Sequence, residues 1–283
     1  MAIKKVGIVG CGQMGSGIAL VCAQAGLQVI ARDIEQKYVQ KGLSFMESYF
    51  TKSVEKGKMS QPAKEAALSR VKGTTDIKEL AVCDIVVEAV LEKLDLKRAV
   101  FAELDKVIPP DVVLATNTSD LSVIDIAMAT NRPEKVVGTH FFNPPAIMKL
   151  VEIARTIATS EATVKTVQDF ARQIGKEPVL AKDTPGFIVN RLGTPFMLEA
   201  IRMLENGLAT RDDIDNAVKL GLNHPIGPLA LLDFIGLDSV YHGATNIYEE
   251  THDPQYAPPV LMRKMVAAGW LGRKTGKGFY DYK

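Results

Sequence analysis

One histidine and one glutamate, twelve residues apart, are of the types that acid–base catalysis needs. His140 ends a valine-rich run that starts at residue 136, and Glu152 lies inside the apolar run 150–154. An unpaired carboxylate is costly to bury, so Glu152 requires a partner. Two strands joined by a corner at 143–145 would bring it beside His140, giving an imidazole that a carboxylate orients and keeps basic. A buried structural ion pair is the alternative.

A glycine-rich loop near the start of the chain has the spacing of a dinucleotide-binding motif. It follows a short apolar strand predicted at 4–9 and opens an apolar helix predicted at 14–25. In such a loop the first glycine permits a tight turn, the second lets backbone N–H groups reach a pyrophosphate, and the third lets the helix pack on its strand. The predicted cofactor contacts here are Gly10, Gly12, Gln13, Met14 and Gly15. A glycine turn of some other α/β protein is the alternative.

An acidic residue after the second predicted strand indicates which dinucleotide is bound. Asp33 lies 21 residues beyond Gly12, where a carboxylate accepts hydrogen bonds from the adenine ribose hydroxyls. A carboxylate at this position repels a 2′-phosphate, so NAD is predicted in preference to NADP. The neighbouring Arg32 keeps NADP open, because a guanidinium turned inward would accommodate the phosphate.

Predicted strands and helices alternate over the first 180 or so residues, and these elements must position the candidate site residues. Short β-branched runs are separated by amphipathic stretches, which predicts an α/β fold with a doubly wound, Rossmann-type sheet. Strands are predicted at 4–9, 28–31, 84–89, 112–116, 136–142, 150–156 and 178–181. The segment 34–72 is too long for a simple crossover and is predicted to be an inserted helical excursion.

A turn-rich segment at 182–186 marks the predicted domain boundary, since β-branched runs vanish after it. We expect a Rossmann domain at 1–184 and a smaller all-α domain at 185–283. Helices of the second domain are predicted at 188–206, 211–220, 228–250 and 259–268. The stretch 228–235 is apolar nearly all round, more than a small bundle buries by itself. The second domain is therefore expected to form a homodimer interface as well as to bind substrate.

The composition excludes several classes of partner. Lys and Arg number 34 against 33 Asp and Glu, so a net charge of +1 favours neither nucleic acid nor an anionic membrane. No run approaches the roughly 18 apolar residues of a membrane span, and no secretory leader pattern opens the chain. The three cysteines, Cys11, Cys22 and Cys83, lack the spacing of a metal site or disulfide framework. A cytoplasmic protein without a metal is expected.

Several motifs together resemble the 3-hydroxyacyl-CoA dehydrogenase family, and they span the chain. They are the glycine loop, Val-Glu-Ala-Val at 87–90, Asn-Thr-Ser at 117–119, Gly-Thr-His-Phe-Phe-Asn-Pro-Pro at 138–145, Lys-Leu-Val-Glu at 149–152, Asp-Thr-Pro-Gly-Phe-Ile-Val-Asn-Arg at 183–191 and Gly-Lys-Gly-Phe-Tyr at 276–280. The resemblance implies interconversion of acetoacetyl-CoA and (S)-3-hydroxybutyryl-CoA with NAD, a reaction of fatty acid and butanoate metabolism.

The same resemblance assigns roles to single residues. It implies that His140 is the acid–base and Glu152 its partner, that Ser119 hydrogen-bonds the substrate oxygen, and that Asn190 helps to hold the acyl chain. Taken alone, Ser119 could instead cap a helix, and Asn190 could make a buried helix hydrogen bond. Further cofactor contacts implied by the resemblance are Glu92, Lys97, Ser119, Asn143 and Lys274. Further substrate contacts are predicted at Lys52, Lys56 and Asn223.

The inserted segment has a charge that suits a phosphorylated carrier. Residues 37–72 hold eight Lys and Arg against three Glu, a local charge of +5 that leaves −4 for the rest of the chain. In the family that the chain resembles, this region contacts CoA. A solvated lysine face is the alternative.

Two other functions stay open from the sequence. One is a dehydrogenase of a free 3-hydroxy acid such as a sugar acid, and the other is a non-enzymatic, NAD-binding structural relative. The combination of Ser119, His140, Glu152 and Asn190 argues against the second.

Overall fold

A computed structural model describes residues 3–282 of the chain. The chain forms two compact units, Met1–Thr184 and Pro185–Lys283. Each unit has its own hydrophobic core.

The first unit is built on one eight-stranded sheet. Its strands are β1 (Lys5–Val9), β2 (Gln28–Arg32), β3 (Val71–Thr74), β4 (Ile85–Glu88), β5 (Val113–Thr116), β6 (Val136–Phe141), β7 (Leu150–Arg155) and β8 (Glu177–Lys182). Their order across the sheet is β3-β2-β1-β4-β5-β6-β7-β8. Every neighbouring pair is parallel except β6 and β7, which are antiparallel. This order is that of a Rossmann-type doubly wound sheet followed by an antiparallel hairpin, which confirms the predicted fold class.

Helices connect the strands of this unit. They are α1 (Gln13–Gln24), α2 (Gln36–Glu55), α3 (Gln61–Leu68), α4 (Leu94–Val107), α5 (Val123–Ala127) and α6 (Glu161–Gln173). Four of them, α1, α2, α3 and α6, contribute buried side chains to the same core as the central strands. Two 3₁₀ turns, Ile77–Val82 and Pro133–Lys135, complete the unit.

The inserted segment 34–72 is predicted to be helical, and its last residues instead form a strand. Helices α2 and α3 fill most of 34–72, but the segment finishes in β3, an edge strand that the sequence analysis missed. Edge strands tolerate charged residues and glycine, and Lys72 and Gly73 interrupt the β-branched pattern there. A side chain at Gly73 would lie 2.4 Å from Val39, so this glycine lets α2 pack against the strand.

The second unit is all-α. Its helices are α7 (Val189–Glu205), α8 (Arg211–Gly221), α9 (Pro228–Ile235), α10 (Leu237–Thr251) and α11 (Val260–Ala267), with 3₁₀ turns at Pro254–Tyr256 and Arg273–Thr275. The single helix predicted at 228–250 is wrong, because Gly236 divides it into α9 and α10. Gly236 has φ of +105°, a conformation that ends one helix and redirects the chain into the next.

Two buried aspartates hold the second unit together. Asp215 accepts hydrogen bonds from the N–H groups of Leu229 and Ala230 at the start of α9. Asp233 accepts from the N–H groups of Phe279 and Tyr280 and from the Tyr282 hydroxyl, which fastens the residues after Gly276 to α9. A buried carboxylate with three donors is well satisfied, so these contacts fix the tail against the helices.

No helix within residues 3–282 has the length and apolarity to cross a membrane, and no group of potential metal ligands occurs among them. The three cysteines are free and buried. Burial raises the pKa of each thiol to about 12. The thiols are therefore protonated and unreactive at neutral pH.

Candidate active site

The structure brings His140 and Glu152 together in the hairpin of β6 and β7. The two residues are directly opposite each other in the antiparallel register, and the His140 Nδ1 lies 2.8 Å from a Glu152 carboxylate oxygen. Both side chains are buried, Glu152 completely. The Phe142 ring packs against the imidazole, with centroids 4.4 Å apart. A carboxylate that holds Nδ1 orients the ring and stabilises an imidazolium, which is the arrangement of a general acid–base.

The glycine loop requires glycine at two positions, Gly10 and Gly15. Gly10 has φ of +101°, and its N–H donates to the Arg32 carbonyl across the sheet. A Cβ at Gly15 would lie 1.8 Å from the Gly10 carbonyl oxygen, so the close approach of α1 to the loop requires glycine. At Gly12 a Cβ would meet no protein atom within 4 Å. The loop therefore leaves open space beside Gly12, enough for a ligand to approach the backbone.

The start of α1 has the properties of an anion site. Gly12 is the N-cap residue, no side chain caps the helix, and its first turn holds no acidic residue. The N–H groups of a helix start and the helix dipole together favour a phosphate. Asp33 lies at the end of β2, where its two oxygens accept the N–H groups of Cys11 and Ile34, each at 2.7 Å. The open space, the helix start and the fixed carboxylate fit the pyrophosphate and adenine ribose of a dinucleotide.

Helix α1 and the hairpin of β6 and β7 contact each other. The Gln13 side-chain amide donates to the Asn143 side-chain oxygen at 3.1 Å, and the Asn143–Pro144 peptide bond is cis. A Cβ at Gly17 would lie 2.8 Å from the Pro145 ring, so α1 packs tightly against the turn of the hairpin. Two of the predicted cofactor contacts, Gln13 and Asn143, thus meet at one place.

The loop that carries Ser119 is held by Glu92. A Glu92 carboxylate oxygen accepts the Ser119 N–H at 2.8 Å and the Thr118 hydroxyl. The residue that caps α5 is Ser122, whose hydroxyl accepts the Asp125 N–H. The cap of this helix is thus assigned to a residue other than Ser119.

Lys97 lies in a cluster of buried charges. Its ammonium is 2.7 Å from Glu88 and 3.3 Å from Glu92, and its side chain is fully buried, as is that of Glu88. Glu88 is absent from the site residues predicted from the sequence. The signal that could have found it is the one that revealed Glu152, a carboxylate within an apolar strand, here β4.

Three of the predicted residues belong to the second unit. Asn190 lies in the first turn of α7. Asn223 has φ of +56° in the loop between α8 and α9. The Lys274 ammonium pairs with Asp238 within this unit. Their roles stay predictions.

The two lysines predicted to contact the carrier lie at the end of α2. Lys52 is in the last turn and Lys56 is the C-cap residue, and both are exposed. Among the described residues, neither forms an ion pair with a carboxylate, whereas Lys37 and Lys72 of the same segment pair with glutamates. A surface depression of about 410 Å³ on this helix is lined by Ser44, Glu47, Ser48, Thr51, Lys52 and Glu55.

The order of the sheet, the glycine loop and the buried histidine–glutamate pair define a class of protein, the Rossmann-fold dehydrogenases that use a nicotinamide cofactor. Comparison with known families narrows this class. The family described as "3-hydroxyacyl-CoA dehydrogenase, NAD binding domain" matches residues 5–184, and "3-hydroxyacyl-CoA dehydrogenase, C-terminal domain" matches residues 186–282. The chain belongs to the 3-hydroxyacyl-CoA dehydrogenase family.

Individual relatives agree with this assignment. The chain is 44% identical over 283 residues to a 3-hydroxybutyryl-CoA dehydrogenase of Mycobacterium tuberculosis, with 99% of each chain covered. It is 43% identical over 283 residues to a probable 3-hydroxybutyryl-CoA dehydrogenase of Bacillus subtilis, covering 100% of this chain and 99% of the relative. The crystal structure of (S)-3-hydroxybutyryl-CoA dehydrogenase from Ralstonia eutropha superposes with a TM-score of 0.96 at 45% identity, with both chains fully covered.

Substitutions at two glycines should separate cofactor binding from folding. In Gly12→Ala the new methyl group meets no protein atom, so we expect the unfolding free energy to change by less than about 1 kcal/mol while NADH affinity falls at least about tenfold. Gly15→Ala forces a clash with the Gly10 carbonyl and should lower the unfolding free energy by about 3 kcal/mol. Denaturant unfolding and NADH fluorescence titration measure the two effects. Unchanged NADH affinity in Gly12→Ala would show that the open space beside Gly12 is not the cofactor site.

Proposed function

We propose that this protein interconverts acetoacetyl-CoA and (S)-3-hydroxybutyryl-CoA, as a dehydrogenase of 3-hydroxybutyryl-CoA like the relatives it matches. The observation that carries the proposal is the buried contact of 2.8 Å between His140 and Glu152, in the same unit as a glycine loop that fits a dinucleotide. Identities of 43% to 45% over whole chains to 3-hydroxybutyryl-CoA dehydrogenases support it.

The chemistry assigned to the pair follows from its geometry. In the oxidative direction His140 takes the proton of the 3-hydroxyl group, and Glu152 stabilises the imidazolium that forms. In the reductive direction the protonated His140 returns a proton to the 3-keto oxygen. A bound nicotinamide supplies the acceptor or donor of the hydride.

NAD is the proposed cofactor. Asp33 is fixed by two backbone N–H groups at the end of β2, where its charge opposes a 2′-phosphate. The Arg32 Nε–H donates to the carbonyl of Thr75, the residue after the edge strand β3, at 3.4 Å. This contact directs the guanidinium toward β3. Both contacts favour NAD over NADP.

Substrate contacts follow the resemblance to the family. We assign Ser119 to the substrate oxygen, Asn190 and Asn223 to the acyl-CoA, and Lys274 to the cofactor, while Lys52 and Lys56 bind phosphates of the carrier. Free, buried cysteines fit a reducing compartment, so we also propose a cytoplasmic location.

Replacement of the histidine tests the proposed reaction. The unaltered protein should oxidise NADH with acetoacetyl-CoA, and we expect His140→Gln to lower turnover by about 100- to 10,000-fold, because glutamine cannot transfer the proton. NADH affinity should stay within about twofold, since the glycine loop is untouched. Steady-state absorbance assays and NADH fluorescence titration provide the two measurements.

Two further results bear on this test. Glu152→Gln should also lose most turnover while it retains NADH affinity, because the imidazolium loses its negative partner. A protein that acts on free 3-keto acids faster than on acetoacetyl-CoA would be a dehydrogenase of free acids. Absence of NADH oxidation with any acyl-CoA would indicate the non-enzymatic alternative.

Carrier recognition can be tested by removing the nucleotide part of the substrate. At low salt we expect KM for acetoacetyl-pantetheine to exceed that for acetoacetyl-CoA, because the pantetheine substrate lacks the phosphates that Lys52 and Lys56 attract. The double variant Lys52→Ala/Lys56→Ala should raise KM for the CoA substrate about fivefold and leave the pantetheine KM unchanged. Lys165→Ala, on the exposed face of α6, is the matched control. Equal KM values for the two substrates would contradict the electrostatic role.

We also propose that the protein is a homodimer through its second unit. Phe234 and Ile235 at the end of α9 are 55% and 44% exposed, and Leu220 and Leu222 near the end of α8 are 85% and 60% exposed. Large apolar side chains that remain exposed together mark surfaces for protein contacts.

Sedimentation tests the dimer. At micromolar concentration we expect twice the chain mass of 30.8 kDa, and Phe234→Ser/Ile235→Ser should shift the protein toward the single-chain mass. Circular dichroism controls for folding of the variant. A single-chain mass for the unaltered protein would contradict the dimer.

A further inference from the structure

Three charged side chains form a cluster beside the end of β4. Lys97 and Glu88 are fully buried, and the Glu92 side chain is 34% exposed. The Lys97 ammonium bridges the two carboxylates, at 2.7 Å from Glu88 and 3.3 Å from Glu92. Two carboxylates and one ammonium give this buried charge cluster one excess formal negative charge.

Backbone and hydroxyl groups fix both carboxylates. Glu88 accepts the Val90 N–H at 2.6 Å and the Thr116 hydroxyl at 2.7 Å. Glu92 accepts the N–H of Ser119 at 2.8 Å. The negative charge is therefore held in a defined position between the loops that follow β4 and β5.

Stability alone does not account for the cluster. Buried ion pairs contribute little more to stability than well-packed apolar residues of similar size, because desolvation offsets the attraction. The buried pair of Arg132 and Asp105 in the same unit is neutral as a pair, with its guanidinium also donating to backbone carbonyls. The charge cluster differs because its charges do not balance.

The position of the cluster relates it to the proposed cofactor. In a Rossmann sheet the dinucleotide crosses the carboxyl ends of the strands, with its pyrophosphate at the first helix. The proposed binding of the adenine ribose by Asp33 would place the adenosine half on the side of β2. The other half must then extend to the opposite side of β1, where β4 is the next strand and Glu88 its last residue.

We propose that the buried charge cluster sets the relative affinity of the protein for the two redox states of its cofactor. The oxidised nicotinamide ring carries a positive charge and the reduced ring carries none. A fixed negative charge that is only partly solvated stabilises the oxidised ring selectively. The inference depends on the proposed use of NAD, and it assigns Glu92 and Glu88 a role separate from proton transfer by His140.

Glu92→Gln removes the excess charge with little change in shape. A glutamine oxygen can still accept the Ser119 N–H, so the loop keeps its support. We expect the ratio of the dissociation constants, NAD⁺ over NADH, to rise about fivefold, as for loss of one partly solvated unit charge near another. NADH fluorescence titration, with NAD⁺ measured by competition, gives both constants without any acyl-CoA.

Two more variants sharpen the test. Glu88→Gln removes a charge from the buried end of the cluster and should shift the ratio in the same direction. Asp95→Asn removes an exposed carboxylate from the first turn of the same helix, α4, and should leave the ratio unchanged. Unfolding curves establish that each variant is folded, and Glu92→Gln decides the question if Glu88→Gln does not fold.

The possible results are distinct. Equal weakening of NAD⁺ and NADH in Glu92→Gln, or a lower ratio, would overturn the proposal and leave the cluster only a support for the Ser119 loop. Because the titration contains no substrate, a failure of the acetoacetyl-CoA assay would leave this binding result unaffected.

Discussion

The cost of burying a carboxylate governs the arrangement of the first unit. Glu152 is completely buried, and the antiparallel register of β6 and β7 places His140 directly opposite it. Side chains alternate between the two faces of a sheet, so a slip of one residue would turn Glu152 away from its partner. The register of the hairpin therefore determines the contact between His140 and Glu152. Glu88, equally buried at the end of β4, is likewise paired, in this case with the ammonium of Lys97.

Helix α1, which follows the glycine loop, also packs against the hairpin of β6 and β7. The Pro145 ring occupies the space that a side chain at Gly17 would take, and Gln13 reaches Asn143. On the other side of the turn, the buried Lys176 ammonium donates to the carbonyls of Pro145 and Met148. The segment that places His140 is therefore held by the helix expected to bind the cofactor and by a lysine that precedes β8. The glycine loop helix and the His140–Glu152 pair are thus joined through the turn of the hairpin.

Patterns of period and of residue type predicted most of this fold. Seven of the eight strands follow from β-branched runs, and the glycine loop and the His140–Glu152 pair follow from spacing. The strand β3 escaped prediction because an edge strand needs no continuous apolar face. The break between α9 and α10 at Gly236 was not predicted, because the apolar pattern of the sequence continues through this residue. The break is visible only in the backbone, where Gly236 has a positive φ. Glu88 carries the same sequence signal as Glu152, a carboxylate within an apolar strand, but its pairing with Lys97 could not be predicted, because it arises from the tertiary packing of β4 and α4.

The contacts of Asp233 have a consequence for how the chain folds during synthesis. This buried carboxylate receives its donors from Phe279, Tyr280 and Tyr282, within the last few residues described. Domains generally fold as units, the N-terminal one first, as the chain leaves the ribosome. The first unit can complete its sheet while the second is still being translated. The second unit can bury Asp233 with its full set of donors only after residues 279–282 have been synthesised, so its folding must follow the translation of nearly a hundred residues beyond Thr184.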